Sequence, residues 1–379
     1  MTSYNFANPY LSLLKERKEL SHKSSLKKTY ELIFDLKGSK ISFQPGDCAV
    51  IFPQNDPEIV ETCLSALSAQ TEDTYFDPRS KTSYSVSDFL TYKANLNKMT
   101  SKLLKLVYLS QKNPAKKEKL QALIENTTAL KEYLQNNHLI DLLSEFSIKH
   151  LKFTDVFPEL LPLIPRFYSI SSSLKYHPDE LHLTISYLTY TTSNGQKHHG
   201  VTSHFMTQLA KPDTTKIPLY IQPNIHFHLP SENIPIIMIG AGTGIAPFLA
   251  FLEERKALKA TGQNWLFFGE KKKAHNFSYQ EFLTGLEKEK FLKLTTAFSR
   301  DQKDKIYVQH RLLENQDEIW KWIEKKAVIY VCGDAKRMAK DVEEALKTVI
   351  MKKRSCSEKE AGAFLQKMRA EKRYLKDVY

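Results

Sequence analysis

"IPIIMIGAGTGIAPFLAFLEER", Ile234 to Arg255, carries no charge until Glu253 and is punctuated by Pro235, Pro247 and the glycines at 240, 242 and 244. An apolar run with two prolines, three glycines and an immediate charged exit is a poor bilayer span. It reads instead as a buried strand, a tight turn and a packed helix. The dinucleotide fingerprint G-x-G-x-x-G would follow Gly240 and Gly242 with a glycine at 245, where this chain has Ile245. The loop still places small residues before a helix N-terminus, where backbone N–H groups and the helix dipole favour a pyrophosphate. A turn made for packing alone has the same outline, so the loop by itself is weak evidence.

The surrounding text sets the fold class. After Pro230, apolar strands "IPIIMIG", "NWLFFGE", "LKLTTAFS" and "AVIYVCG" alternate with helical stretches such as "PFLAFLEERKALKA" and "AKRMAKDVEEALKTVI". Strand and helix in turn predict right-handed crossovers and a doubly wound parallel sheet. Upstream, "TYELIFDLKGSKISFQPGDCAVIFP" from Thr29 alternates with turn signals at Lys37-Gly38 and Pro45-Gly46, as short antiparallel strands do. Strand character recurs in "PRFYSISSS", "ELHLTISYLTY" and "IPLYIQP". Between them, from about Glu58 to Phe146, glycine is absent and leucine recurs at helical spacing. The expected layout is an antiparallel β-barrel from residues 1–57 and 151–230, a helical insertion over 58–150, and an α/β domain over 231–379.

Bulk properties agree with a soluble globular chain. The 379 residues are 41% hydrophobic and 26% charged, enough for roughly two or three domains. Cys48, Cys63, Cys332 and Cys356 stand far apart with no C-x-x-C pair, which suggests neither a disulfide framework nor a zinc ribbon. A reducing compartment follows, and the opening "MTSYNFANPY" has no secretory pattern, so a cytoplasmic location is expected. The net charge of +12 is spread along the chain and carries no nucleic-acid motif, so neither nucleic acid nor membrane is an expected partner.

Two polar constellations point to cofactors. "AFSRDQKDKIYVQ" gathers Ser299, Arg300, Lys305, Tyr307 and Gln309 after the third α/β strand. These residues suit a phosphate monoester beside an aromatic base. Glu270, ending the second strand, argues the other way, since an acid there favours an unphosphorylated ribose. Earlier, Arg166-Phe167-Tyr168-Ser169 alternates a cation and an aromatic on one strand face, and Gly200-Val201-Thr202-Ser203 marks a helix start fit for a second anion. An arginine for phosphate and an aromatic for a planar ring would make a flavin site; an ordinary strand with an ion-paired arginine fits the same letters. His198, His199 and His204 invite a metal, but no acid or thiol stands at a set spacing from them, and no metal is expected.

Taken in order, Arg-x-Tyr-Ser, Gly-Val-Thr-Ser, "GTGIAPF", Ser-Arg with "KIYVQ", and "YVCGDAKRMAKDV" resemble the family of NADPH–cytochrome P450 reductases and sulfite reductase flavoproteins. "FQPGDCAVIFPQNDPEIV" and the ending "RYLKDVY" extend the resemblance over nearly the whole chain. The resemblance implies a ferredoxin–NADP reductase-like fold with an FAD-binding barrel, a helical connecting insertion and an NADP(H)-binding domain. It assigns Arg166, Phe167, Tyr168 and Ser169, with Thr184, Ile185, Ser186 and Tyr190, to FAD, and Gly200, Val201, Thr202 and Ser203 to its pyrophosphate. It assigns Thr243, Ser299, Arg300, Lys305, Ile306, Tyr307, Val308, Gln309 and Asp341 to NADPH, which settles the tension over Glu270. Ser169, Cys332 and Asp377 are the implied catalytic group for hydride transfer from nicotinamide to flavin, and Tyr379 the aromatic that covers the flavin.

Members of this type usually carry an N-terminal flavodoxin-like FMN domain, and nothing before the first barrel strand reads as one. Electrons are therefore expected to pass to a separate protein, whether flavodoxin-like, iron–sulfur or sirohaem-containing. A general flavodoxin or ferredoxin reductase and a non-catalytic flavin-binding subunit are the competing readings.

Overall fold

A computed structural model describes residues 4–148, 151–192 and 195–379. The expected domain limits at residues 1 and 150 lie outside the described residues. Contacts divide the chain into two compact units, one of Met1–Val50, Phe167–Ser186 and Lys211–Tyr379, the other of Ile51–Arg166 and Tyr187–Ala210. Among the described residues no helix is long and apolar enough to cross a membrane.

The first unit contains two sheets. One has six strands in the order Arg166–Ser169, Cys48–Ile51, Lys216–Gln222, Tyr10–Glu19, Thr29–Asp35, Glu180–Ser186. Tyr10–Glu19 runs antiparallel to both Lys216–Gln222 and Thr29–Asp35, and Thr29–Asp35 runs antiparallel to Glu180–Ser186 from Thr29↔Ser186 to Asp35↔Glu180. Alternation places Leu32 and Phe34 on the inner face with Leu14, Leu183 and Leu219, all fully buried. An isolated antiparallel bridge joins Ile170, just past one edge strand, to Leu183 on the other.

The other sheet is the doubly wound one that the alternating pattern predicts. Its order is Leu292–Phe298, Asn264–Glu270, Ile236–Ala241, Val328–Gly333, Tyr374–Val378, and every pairing is parallel. In chain order this reads third, second, first, fourth, fifth, so the order reverses beside the Ile236–Ala241 strand. Both faces are covered. Ile237, Ile239, Trp265, Phe267, Ile329 and Val331 pack with the Val308–Glu314, Gln316–Glu324, Met338–Arg354 and Glu358–Ala370 helices. Ile236, Met238, Leu266, Phe268, Val328 and Tyr330 pack with Ala246–Ala257 and Gln280–Lys288. Burial on two sides is why these strands read as continuous apolar runs.

The second unit is mainly helical, with Pro57–Leu67, Val86–Tyr92, Ser101–Ser110, Pro114–Glu125, Thr127–Asn136 and Leu139–Glu145 around one core. Asp56, Ser85, Thr100, Asn113 and Asn126 cap five of these helices by accepting first-turn N–H groups. At the centre, Tyr75 meets Phe157 edge-on with ring centroids 5.1 Å apart, and Phe89 stacks on Phe157 at 4.8 Å. Beside these helices, Thr74–Asp77 and Thr82–Ser85 form a hairpin. Its turn is held by Asp77, which accepts hydrogen bonds from Arg79 Nε and Ser80 Oγ.

Candidate functional site

The glycine loop lies where the sheet order reverses, at the carboxyl end of Ile236–Ala241. Gly242 to Ile245 turn in one 3-10 segment before the Ala246–Ala257 helix, with Pro247 in its first turn. Gly242 has φ +60°, a left-handed conformation. A Cβ on Gly244 would lie 2.2 Å from the Cys332 carbonyl oxygen, so that glycine lets the turn rest against the neighbouring strand end. Ile245, in the position of the missing third glycine, is fully buried in the apolar layer beneath the sheet. The departure from the fingerprint is thus a packing residue, and the turn keeps its tight backbone through Gly242 and Gly244.

Beside this loop opens a cleft of about 620 Å³. Its lining brings together Ser299, Arg300, Lys305, Tyr307, Val308, Gln309 and Asp341, residues drawn from two crossovers of the sheet. Gln309 Nε2 donates to Asp341 Oδ2 at 3.1 Å, which fixes the amide. Ser299 N donates to the Glu270 carbonyl at 2.9 Å, holding the Ser-Arg segment against the second strand. Ile306 is half-buried and packs on the core instead of lining the cleft. Lys27, Lys271, Lys336 and Arg337 add to Arg300 and Lys305, so six cations face three carboxylates, Glu270, Asp334 and Asp341. Such a field attracts an anion. Glu270 is engaged on both oxygens, one in an ion pair with Lys27 and the other accepting the Lys271 N–H at 2.8 Å. Its charge is thereby offset at the wall of the cleft.

Ser169, Cys332 and Asp377 converge on one carboxylate oxygen. Ser169 Oγ donates to Asp377 Oδ2 at 2.7 Å, and Cys332 Sγ lies 3.9 Å from the same oxygen. The parallel register that sets Cys332 opposite Asp377 accounts for the second contact. Burial raises the Asp377 carboxyl above its usual range, although the bonds from Ser169 and Cys332 oppose that shift. Burial, then the Asp377 charge, pushes the Cys332 thiol well above its ordinary value, so it stays a neutral donor. Cys48 sits with them, and burial pushes its thiol up to about 12.

Tyr379 is pinned close by. Its N–H donates to the Gly333 carbonyl at 3.1 Å, its carbonyl accepts from Ala335 N at 3.0 Å, and its hydroxyl lies 2.8 Å from Thr243 Oγ1. The residue is nonetheless 65% exposed.

The residues expected around a flavin are distributed along the same strands and into the second unit. Phe167 is exposed, Tyr168 and Ser169 are half-buried on the edge strand, and Thr184 and Ile185 are buried. Thr184 Oγ1 lies 2.8 Å from the Tyr279 hydroxyl, and Ser186 Oγ 3.5 Å from Thr29 Oγ1. In the second unit Arg166 is exposed, and the Tyr190 hydroxyl lies 2.6 Å from His138 Nε2. Gly200 caps the helical start Val201–His204 as expected, and Ser203 Oγ donates to the Gly200 carbonyl at 3.0 Å while accepting from Leu188 N at 3.2 Å.

Residues 3–205 match the family described as FAD binding domain. The chain belongs to that family. Residues 238–344 of this FAD-binding-family chain match the oxidoreductase NAD-binding domain, the segment that holds the glycine loop, all of the cation-lined cleft but Lys27, and Cys332. The chain is 35% identical over 383 residues to the sulfite reductase [NADPH] flavoprotein alpha-component of Bacillus subtilis (strain 168), covering 100% of this chain and 62% of the relative. It is 35% identical over 381 residues to the protein of that name from Mannheimia succiniciproducens, again 100% and 62%, and 36% identical over 389 residues to that from Photobacterium profundum, also 100% and 62%. The chain thus spans about three fifths of the length of the curated relatives it matches.

Sequence reasoning missed four residues that the structure brings to the cleft and to the Ser169 group. Lys27, Lys336 and Arg337 line the cleft, and Cys48 joins the Ser169 group. Lys336 and Arg337 were visible as "DAKRM" after the fourth strand, at the carboxyl end where such sheets bind ligands. Cys48 comes from the other sheet and Lys27 from the loop before its Thr29–Asp35 strand, and neither carried a local signal.

Proposed function

We propose that the chain is an NADPH-dependent FAD reductase that passes electrons to a separate acceptor protein. The observation that carries this reading is the convergence of Ser169, Cys332 and Asp377 on one oxygen, in the same unit as a glycine turn and a cation-lined cleft. FAD and NADPH, when bound, would supply the redox chemistry, hydride transfer from nicotinamide to flavin.

The residues of the chain bind and orient. Ser299, Arg300 and Lys305 hold a 2′-phosphate, Tyr307 covers the adenine, and Gln309 and Asp341 bond the nucleotide; Ile306 supports that run from the core. Thr243 and the turn's N–H groups take the pyrophosphate. Asp377 places a negative charge, aimed by Ser169 and kept beside a neutral Cys332 thiol, where positive charge grows on the nicotinamide. Arg166 pairs with flavin phosphate, Tyr168 and Tyr379 cover the ring, and Gly200 to Ser203 receive the FAD pyrophosphate. Phe167, Thr184, Ile185, Ser186 and Tyr190 shape the remaining wall.

The six-stranded sheet, bridged at Ile170↔Leu183, supports closure into the FAD-binding barrel. The functional division is then 1–57 with 151–230, 58–150 and 231–379. The relatives' printed name, an alpha-component of sulfite reductase, favours the haemoprotein component of that enzyme as acceptor. A flavodoxin-like or iron–sulfur acceptor is the second reading.

Anaerobic stopped-flow reduction tests the activity. The purified protein is expected to be yellow and to bleach far faster with NADPH than with NADH. Arg300→Ala should narrow that preference by roughly 10–100-fold, the worth of one charge-assisted hydrogen bond. Flavin left oxidised under NADPH defeats the proposal.

A further inference from the structure

His198, His199 and His204 were set aside in the sequence for want of an acidic partner, and folding supplies one. Asp56 lies in the same unit, 148 positions from His204. As the cap of the Pro57–Leu67 helix, its Oδ1 accepts the Glu58 N–H at 2.9 Å, while its Oδ2 lies 2.9 Å from His204 Nε2. The His199 and His204 rings stack with centroids 4.0 Å apart and 20° between their planes. One ligand atom from each of Asp56, His199 and His204 lies within 4.8 Å of the other two.

Metal–nitrogen and metal–oxygen distances of about 2.0–2.2 Å put tetrahedral ligand atoms about 3.3–3.5 Å apart. Closing these three groups on an ion needs shifts on the order of 1 Å, within side-chain reach. The outer partner of one ring is present: the Tyr187 hydroxyl lies 3.2 Å from His204 Nδ1. A hydrogen bond on Nδ1 sets the ring's orientation and leaves Nε2 as the ligating nitrogen.

We propose that Asp56, His199 and His204 form a site for a divalent transition-metal ion, with Zn²⁺ as its natural occupant and solvent in the fourth position. Two imidazoles and one carboxylate select a borderline ion over Mg²⁺ or Ca²⁺, which prefer all-oxygen shells. Because Gly200 to Ser203 lie between the two histidine ligands, the ion clips both ends of that segment to the start of the Pro57–Leu67 helix. A second cluster, His177, Glu180 and His182, is less suited. Glu180 already pairs with Lys15, and His182, held between Glu31 and Glu180, has a raised pKa, so cationic groups occupy that carboxylate set.

The test is calorimetric titration of the chelator-stripped 379-residue chain with ZnCl₂, paired with metal analysis after dialysis. About one equivalent is expected to bind the parent, with affinity falling at least roughly tenfold in both His199→Ala and Asp56→Asn, while His177→Ala binds as the parent does. Zn²⁺ should also raise the parent's melting temperature and leave those two variants unmoved. Zinc-dependent protection of His199 and His204 from diethyl pyrocarbonate, mapped on the parent, gives the same answer without substitution. A parent that binds no zinc, variants that bind it equally well, or two histidines that gain no protection would each overturn the site.

Discussion

Lys27 and Glu270 are 243 positions apart in sequence and form an ion pair on the wall of the cation-lined cleft. Glu270 is nearly enclosed there, its side chain 6% exposed. Without Lys27, an uncompensated carboxylate would stand beside the position proposed for a phosphorylated nucleotide. Lys27→Ala is therefore expected to weaken NADPH binding by roughly tenfold or more, about 1.4 kcal/mol for each tenfold. Glu270→Gln in the same chain should recover much of the loss, because the charge left stranded is then gone. A double-mutant cycle on NADPH affinity measures the coupling, and additive effects would show that the pair is not a unit.

Asp377 gives a pH signature. Its carboxyl titrates above the usual range, with burial as the main cause. Folding thus favours the protonated form: this group's contribution to stability is present below the unfolded pKa and is lost as pH rises through the folded one. Asp377→Asn should accordingly leave the fold as stable or more stable at pH 7. Flavin reduction should move the other way. The parent rate is expected to fall as acid protonates Asp377, at a higher pH than for an ordinary aspartate, and the asparagine variant should lose that limb along with roughly 10²-fold in rate at pH 7. Anaerobic reduction rates across pH 4.5 to 8, set beside melting curves, separate the two effects (the range begins at about the ordinary carboxylate pKa).

How much of this was legible in the letters depends on the range over which each signal acts. The parallel sheet was readable because strands buried on both faces are apolar throughout, as in "IPIIMIG" and "AVIYVCG". The Tyr374–Val378 strand was not read as one, because Lys376 and Asp377 interrupt its apolar pattern at an edge of the sheet. Ser299, Arg300, Lys305, Tyr307 and Gln309 were found because a single crossover delivers them together. Lys27, Cys48 and Asp56 were missed because their partners, Glu270, Asp377 and His204, are brought to them by tertiary contact alone. Ile245 was read as a broken motif, when its burial explains it as part of the core.

His182 should tie stability to pH on the alkaline side. It is buried between Glu31, 3.8 Å away, and Glu180, 3.1 Å away. Burial opposes its charge, but pairing with Glu31 and the hydrogen bond that Nε2 donates to Glu180 prevail, and the pKa is raised. The stabilisation is then fully present below the unfolded value of about 6.5 and is lost as pH rises through the higher folded value. His182→Gln is expected to cost about 3 kcal/mol near pH 6, as breaking a buried ion pair does, and clearly less by pH 9. Urea unfolding at the two pH values checks this, and an equal loss at both would mean that shape, not charge, accounts for the effect.

Gly244 offers a test of the turn itself. Its missing Cβ would lie 2.2 Å from the Cys332 carbonyl oxygen and 2.7 Å from that residue's carbonyl carbon, both backbone atoms that cannot rotate away. Gly244→Ala must therefore push the turn off the Val328–Gly333 strand, in which Cys332 stands opposite Asp377. Overpacking of this kind costs about 1–3 kcal/mol, and the displacement should reach the reacting groups. Gly362→Ala is the matched control, since nothing lies within 4 Å of the added carbon at this half-buried position of the Glu358–Ala370 helix. The first variant is expected to melt several degrees lower and to reduce its flavin at least roughly tenfold more slowly, because small displacements at a reacting centre are expensive. The second should match the parent or exceed it, as alanine is the better helix former. Equal melting temperatures and equal rates for the two would show that the turn does not rest on the Cys332 backbone.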